Sequence, residues 1–171
     1  MIRKKKLYAR PMKLYEKARI LEENALRKKY GLKNKREIWK NLAKIDYFRK
    51  RAMALAKSSI EDQDIFFKKL NKIGLNVESI SDVLDLQIED LLQRRLPTIV
   101  AGKKIANSVQ HARQMVVHKK ILVGGKIVDS PSYLVAVEEE KNIKLKEKTL
   151  KAKQNKEIIE TIENVSAGGS I

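Results

Sequence analysis

The sequence predicts an α+β protein in which a basic all-helical region precedes a small helix-helix-β-hairpin domain. Three observations predict it. Apolar residues recur at helical spacing through most of residues 14–90. The stretch ILVGGKIV, residues 121–128, places two short β-branched runs around Gly124-Gly125, and two adjacent glycines supply the positive φ angles of a tight two-residue turn. The charge also changes in blocks. Residues 1–57 carry 20 basic and 5 acidic side chains, residues 58–90 carry 3 and 8, residues 91–137 carry 8 and 1, and residues 138–171 carry 7 and 7. We therefore divide the chain into a basic helical region (1–90), a helix-helix-hairpin domain (91–140) and a charged, partly flexible tail (141–171).

The first helix follows Pro11, a residue tolerated near a helix start. It carries Leu14, Ala18, Leu21 and Ala25 as its apolar stripe and closes at Gly31. The second opens at Asn34, with Glu37 in a capping arrangement, and runs Ile38, Leu42, Ile45, Phe48, Ala52 and Leu55 along one face. A third opens at Ser59 with Asp62 three residues on, buries Ile65, Phe66, Leu70 and Ile73, and stops at Gly74. VLDLQIEDLLQRRLPTIV is a helical approach to Arg94 and Arg95, with Pro97 starting a fresh turn. Ser108 caps a helix over about 109–119, whose buried arc is Val109, Ala112, Met115 and Val116. Beyond the hairpin and Pro131, Tyr133, Leu134, Val135 and Val137 suggest a further strand, with the Tyr133 ring in the core and its hydroxyl paired. In the tail, Ile158, Ile159, Ile162 and Val165 suggest a short amphipathic helix.

A formal charge of +17 on 171 residues makes a compact chain repel itself, so a polyanion, foremost nucleic acid, is the expected partner. The chain shows no long apolar run and no signal-peptide or amphipathic anchor, and a membrane role is not expected. With no cysteine, disulfides, thiolate zinc sites and a Cys nucleophile are excluded. His111 and His118 are seven apart, where two ligands of one ion on a helix are usually four apart, and Asp129 is the only acid between Asp90 and Glu138. Neither a metal site nor a catalytic triad is expected, nor a cofactor, a small-molecule substrate or enzymatic activity.

Candidate nucleic-acid contacts are the cations that acidic residues are too scarce to pair. In the basic arm and first helices these are Arg3, Lys4, Lys5, Lys6, Arg10, Lys13, Lys33, Lys35, Arg36, Lys40, Arg49, Lys50 and Arg51. In the second basic block they are Arg94, Arg95, Lys103, Lys104, Lys119, Lys120 and Lys126. On the wheel of the helix after Ser108, Gln110, His111, Gln114 and His118 form a polar arc flanked by Arg113, a mixture suited to phosphates, sugars and base edges.

RRLPTIV followed by SVQHARQMVVHKKILVGGKIVDSPSYLV resembles the helix-helix-hairpin RNA-binding motif (αL motif) of the ribosomal protein S-four family. PSYLVAVEEE resembles its archaeal and eukaryotic branch, and YGLKNKREIW resembles the family's N-terminal helical region. The resemblance implies a structural protein of the small ribosomal subunit that binds small-subunit ribosomal RNA at a junction of the 5′ domain. It also implies a role in nucleating assembly, ribosomal protein S-five as a neighbour, a contribution to accuracy where messenger RNA enters, and a cytoplasmic location. By match to the motif, Arg94, Arg95, Arg113, Gln114, His118 and the hairpin with Lys126 take the RNA-facing positions, and Pro131, Ser132 and Tyr133 the supporting turn. Where the family often has His-Gly-His-Ile, this chain has His118-Lys119-Lys120-Ile121. The alternative is a stand-alone factor that carries the same domain and acts on ribosomes. On either reading Arg113 is an exposed contact, so that its replacement by Ala would spare the fold and weaken RNA binding.

Overall fold

The computed structural model describes residues 6–146. Arg3, Lys4, Lys5 and the amphipathic pattern at 158–165 therefore lie outside the described residues. Within them the helices are α1 (Lys17–Lys29), α2 (Lys35–Leu55), α3 (Ile60–Ile73), α4 (Ile80–Asp85), α5 (Ile88–Gln93), α6 (Leu96–Gly102), α7 (Val109–Val117) and α8 (Val137–Glu140). The strands are β1 (Ile121–Val123), β2 (Lys126–Ile127) and β3 (Ile143–Leu145). The fold is α+β, with the helices of the basic region leading into a small domain built on a three-stranded antiparallel sheet.

The helix punctuation follows its residues. The Ser59 hydroxyl accepts from Asp62 N–H, and the Ser108 hydroxyl accepts from His111 N–H at 3.1 Å. At the end of α1, Gly31 takes φ +57°, and Leu32 N–H donates to the Arg27 carbonyl. That turn rests against the start of α7, where a Cβ on Gly31 would lie 3.2 Å from the backbone of Val109 and Gln110. Gly124 and Gly125 both have positive φ and join β1 to β2 in the register Val123 to Lys126.

Three apolar clusters hold the elements. Ile45, Phe48, Ala52, Phe66, Leu70, Val77, Val83 and Leu91 join α2 to α3, α4 and α5. A smaller group, Tyr30, Leu32, Ile38 and Leu92, seats the end of α1 on α2 and α5. Leu96, Val100, Ala112, Met115, Val116, Ile121, Val135 and Ile143 form the core of the hairpin domain. Each cluster removes several branched side chains from water, worth roughly 1.5–3 kcal/mol apiece before the entropy of ordering them.

Three expectations are corrected. The stripe of α1 is not buried: Leu14 is 61% and Leu21 69% exposed, and Ala18 and Ala25 also face outward. The helix docks through Leu26 and a buried Glu23, so its inner face is turned away from the purely apolar arc. Leu42 and Ile65 are likewise exposed, because α2 and α3 are each covered on a narrower face than their apolar residues span. Finally, Tyr133 to Val137 is not a strand. It makes one isolated bridge, Leu134 to Arg95, and can pair no further because the partner segment turns into α6 at Leu96. The third strand is β3, which pairs with β1 from Ile121–Leu145 to Val123–Ile143 and lies past residue 140, where the sequence reading starts the tail.

The end of α7 shows what the Lys119 departure costs. His118 caps the helix, Lys119 takes φ +58°, and Lys120 N–H donates back to the Met115 carbonyl at 3.0 Å. This is the left-handed position that glycine ordinarily fills, and a side chain there costs about 1 kcal/mol. Lys119→Gly should therefore raise stability by about 1 kcal/mol, read as a higher midpoint in urea with an unchanged slope.

Candidate nucleic-acid interface

Two kinds of basic residue emerge once the helices are in place. The first is exposed. The Ser108 cap starts α7 in the register that buries Ala112, Met115 and Val116, which turns His111, Gln114 and His118 to one outer face. With Met115 and Lys120 they line a cleft of about 350 Å³. Gln110 is exposed beside them, Lys119 is held loosely near Asp129 (3.9 Å), and Lys126 projects from β2. On α2 and its approach, Lys33, Arg36, Lys40, Lys50 and Arg51 are exposed, as are Lys6, Arg10 and Lys13 upstream and Lys104 after α6. Lys103 is also exposed but its ammonium donates to the Glu140 carbonyl. The Tyr133 ring is half-buried, and its hydroxyl donates to Glu139 at 2.8 Å, as expected.

The second kind is spent internally, and here the sequence reading is corrected. Arg113 is not a free flank of the polar arc. Its guanidinium forks onto the Glu37 carboxylate, Nη1 to Oε2 at 3.0 Å and Nη2 to Oε1 at 2.8 Å. Arg95 reaches the same carboxylate, Nη2 to Oε2 at 2.6 Å, and is only 3% exposed. Arg94 lies across Gly74, where a Cβ would come within 2.9 Å of its guanidinium carbon. It donates to the carbonyls of Ile73 and Val135 and to Glu140. It thereby closes the last turn of α3 and holds it to the hairpin domain. Arg49 donates to the Leu86 carbonyl at 2.8 Å, and Lys35 lies 3.1 Å from Glu23.

Glu37 and Glu23 are the residues that sequence reasoning missed. The capping arrangement expected of Asn34 with Glu37 does not form: Asn34 makes no side-chain cap, and Glu37 turns to the two arginines. Glu23, 5% exposed, accepts from Arg19 at 2.7 Å and Trp39 Nε1 at 2.9 Å. Burial alone would raise both carboxyls. The hydrogen bonds from Arg113 and Arg95 outweigh it at Glu37, and those from Trp39, Arg19 and Lys35 outweigh it at Glu23, so both are held below the ordinary carboxylate value. The available signal was scarcity: five acids among 57 residues leave each one many cations to serve.

Among the described residues no three His, Asp or Glu side chains gather where they could hold a metal ion, and no helix is long and apolar enough to cross a membrane. The polar face of α7, the glycine hairpin and the two arginines ahead of α6 coincide with a match to the S4 domain over residues 94–141. Over longer stretches the chain is similar to small ribosomal subunit protein uS4 of Nanoarchaeum equitans, 40% identical over 151 residues, 84% of this chain and 84% of that protein. The uS4 protein of Methanocella arvoryzae is 40% identical over 149 residues (80% and 73% of the two chains), and that of Ignicoccus hospitalis 40% over 145 residues (81% and 87%). The chain belongs to the uS4 family. The similarity extends well beyond the S4 domain, over 84% of the chain, and so takes in part of the helical region as well.

The internal pairs set stability. Glu37→Gln should cost about 3 kcal/mol by leaving two guanidinium groups short of a charge, and Arg113→Ala about 1–3 kcal/mol, each visible as a lowered Tm. Because Glu37 is depressed in the folded state, its contribution is complete above the ordinary carboxylate range and is lost as pH falls below it. The Tm gap between wild type and Glu37→Gln should accordingly be widest near neutral pH and close in acid.

Proposed function

We propose that the protein is a non-enzymatic, structural constituent of the small ribosomal subunit in the cytoplasm, and that it binds small-subunit ribosomal RNA at a junction of the 5′ domain, nucleating assembly. The observation that carries the reading is the membership in the uS4 family together with the exposed cations left after the internal pairs are discounted. Those on α2 and its approach (Lys33, Arg36, Lys40, Lys50, Arg51) and those around the α7 cleft and hairpin (His118, Lys119, Lys120, Lys126) are the phosphate contacts in this reading. Gln110 and Gln114 offer hydrogen bonds to sugars and base edges. Arg94, Arg95 and Arg113 act one step back, holding that surface in shape. Ribosomal protein S-five as neighbour and a place beside incoming messenger RNA belong to the same proposal and follow from the family resemblance. The similarity over most of the chain to proteins named for the small subunit favours this reading over a stand-alone factor.

Cofractionation with mature small subunits at one copy each tests it, since a transient factor would be substoichiometric. Binding to the RNA should also weaken about a thousandfold or more between roughly 50 and 200 mM salt if some 6–10 phosphates are neutralised. Lys120→Ala should reduce the slope of that dependence by about 1 without moving Tm, because Lys120 is exposed.

A further inference from the structure

The uncovered stripe of α1 borders a groove. Leu21, Asn24, Ala25 and Lys28 from one face of α1 line it, with Leu32 at its floor and Gln110 and Arg113 from α7 on its far side, about 880 Å³ in all. Arg27 and Lys33 add charge at the rim. The groove is thus apolar inside and cationic at its edge. The sequence contains a segment of opposite character. Residues 157–171 hold Glu157, Glu160 and Glu163 and no Lys or Arg, in a chain of net charge +17, and Ile158, Ile159, Ile162 and Val165 recur at helical spacing between those acids.

We propose that residues 157–165 dock in this groove in the protein free of RNA, laying their isoleucines on Leu21 and Ala25 and their glutamates against Arg27, Lys28 and Lys33. The tether permits it. Lys146 N–H donates to the Lys120 carbonyl at 2.7 Å, just past the end of α7, and Gln110 and Arg113 belong to that same helix. The intervening residues 147–156 span up to about 35 Å when extended, and α7 is only about 13 Å long. RNA is a poor partner for three glutamates, and a second copy competes poorly with a segment tethered at an effective concentration of order millimolar. A short amphipathic segment is marginal as a helix in water and gains stability by packing its apolar face. The inference does not depend on the ribosomal reading.

The absence of native cysteine makes the test direct. In the full chain without RNA, Ala25→Cys with Thr161→Cys is treated with a short bis-maleimide. Met53→Cys with Thr161→Cys serves as the control, Met53 being exposed on α2. Each rate is normalised to the same pair in urea, which removes the effect of tether length. Docking gives intramolecular crosslinking about tenfold faster for the Ala25 pair, in line with a tethered contact of millimolar effective concentration. It also gives loss of that advantage when Glu157, Glu160 and Glu163 are replaced by Lys. Equal normalised rates, an advantage that survives the charge reversal, or a crosslinked dimer whose yield rises with protein concentration would each overturn the proposal.

Discussion

The Glu37 carboxylate takes three hydrogen bonds from two guanidinium groups, one on Arg95 at the head of α6 and one on Arg113 in the middle of α7. Those two helices share the core of the hairpin domain, while Glu37 stands in the first turn of α2. One carboxylate therefore positions the domain against the helical region. Removing it would leave two cations in a largely enclosed space, which is costlier than never having placed them there. The apolar group nearby, Tyr30, Leu32, Ile38 and Leu92, supplies area but little direction. The forked pairing with Arg113 supplies the direction, because its geometry accepts one approach of α7 and few others.

The surface of the protein depends on this internal use of charge. A basic chain must dispose of its own repulsion before it can present a cationic face. Glu23 gathers Arg19, Lys35 and the indole of Trp39, Glu37 gathers Arg95 and Arg113, and Glu140 meets Arg94. Lys33, Arg36, Lys40, Lys50 and Arg51 on α2 and its approach, and Lys119, Lys120 and Lys126 around the α7 cleft and hairpin, remain exposed, and His111, His118 and Gln114 share one face of that cleft. Arg94, Arg95 and Arg113 look like the strongest RNA contacts in the motif, and they are the residues that the fold occupies itself. Their effect on a bound polyanion would pass through the placement of Lys120, Gln114 and the hairpin.

Much of this was legible in the sequence, and the reason is local. Ser59 and Ser108 cap their helices because a hydroxyl reaches the amide three residues on within the same turn, and Gly31, Gly74 and Gly124-Gly125 end helices or turn a hairpin because positive φ is a property of one or two residues. Of the arc that 3.6-residue periodicity marks on α7, Ala112, Met115 and Val116 are buried and Val109, at the start of the helix, is half-buried. Two short β-branched runs and the turn chemistry of Gly124-Gly125 likewise placed β1 and β2, and the block structure of the charge pointed to a polyanion.

Tertiary structure alone decided which of several competent faces is covered and which cations are free. The stripe of α1 and residues Leu42 and Ile65 satisfy helical spacing as well as the buried ones do, but burial depends on what lies opposite, and sequence spacing carries no information about that. The third strand came from 143–145 instead of 133–137 because pairing is set by the path of the neighbouring chain, and the chain beside Leu134 turns into α6 at Leu96 after a single isolated bridge. The partners of Arg95 and Arg113 lie 58 and 76 residues away at Glu37. The sequence by itself determined the longer helices, the Ser59 and Ser108 caps, the hairpin and the excess of positive charge, because each arises within a turn or two of backbone. Folding decided which positive charges are enclosed and which remain for a partner, because an ion pair across the molecule exists only once the helices that carry it have met.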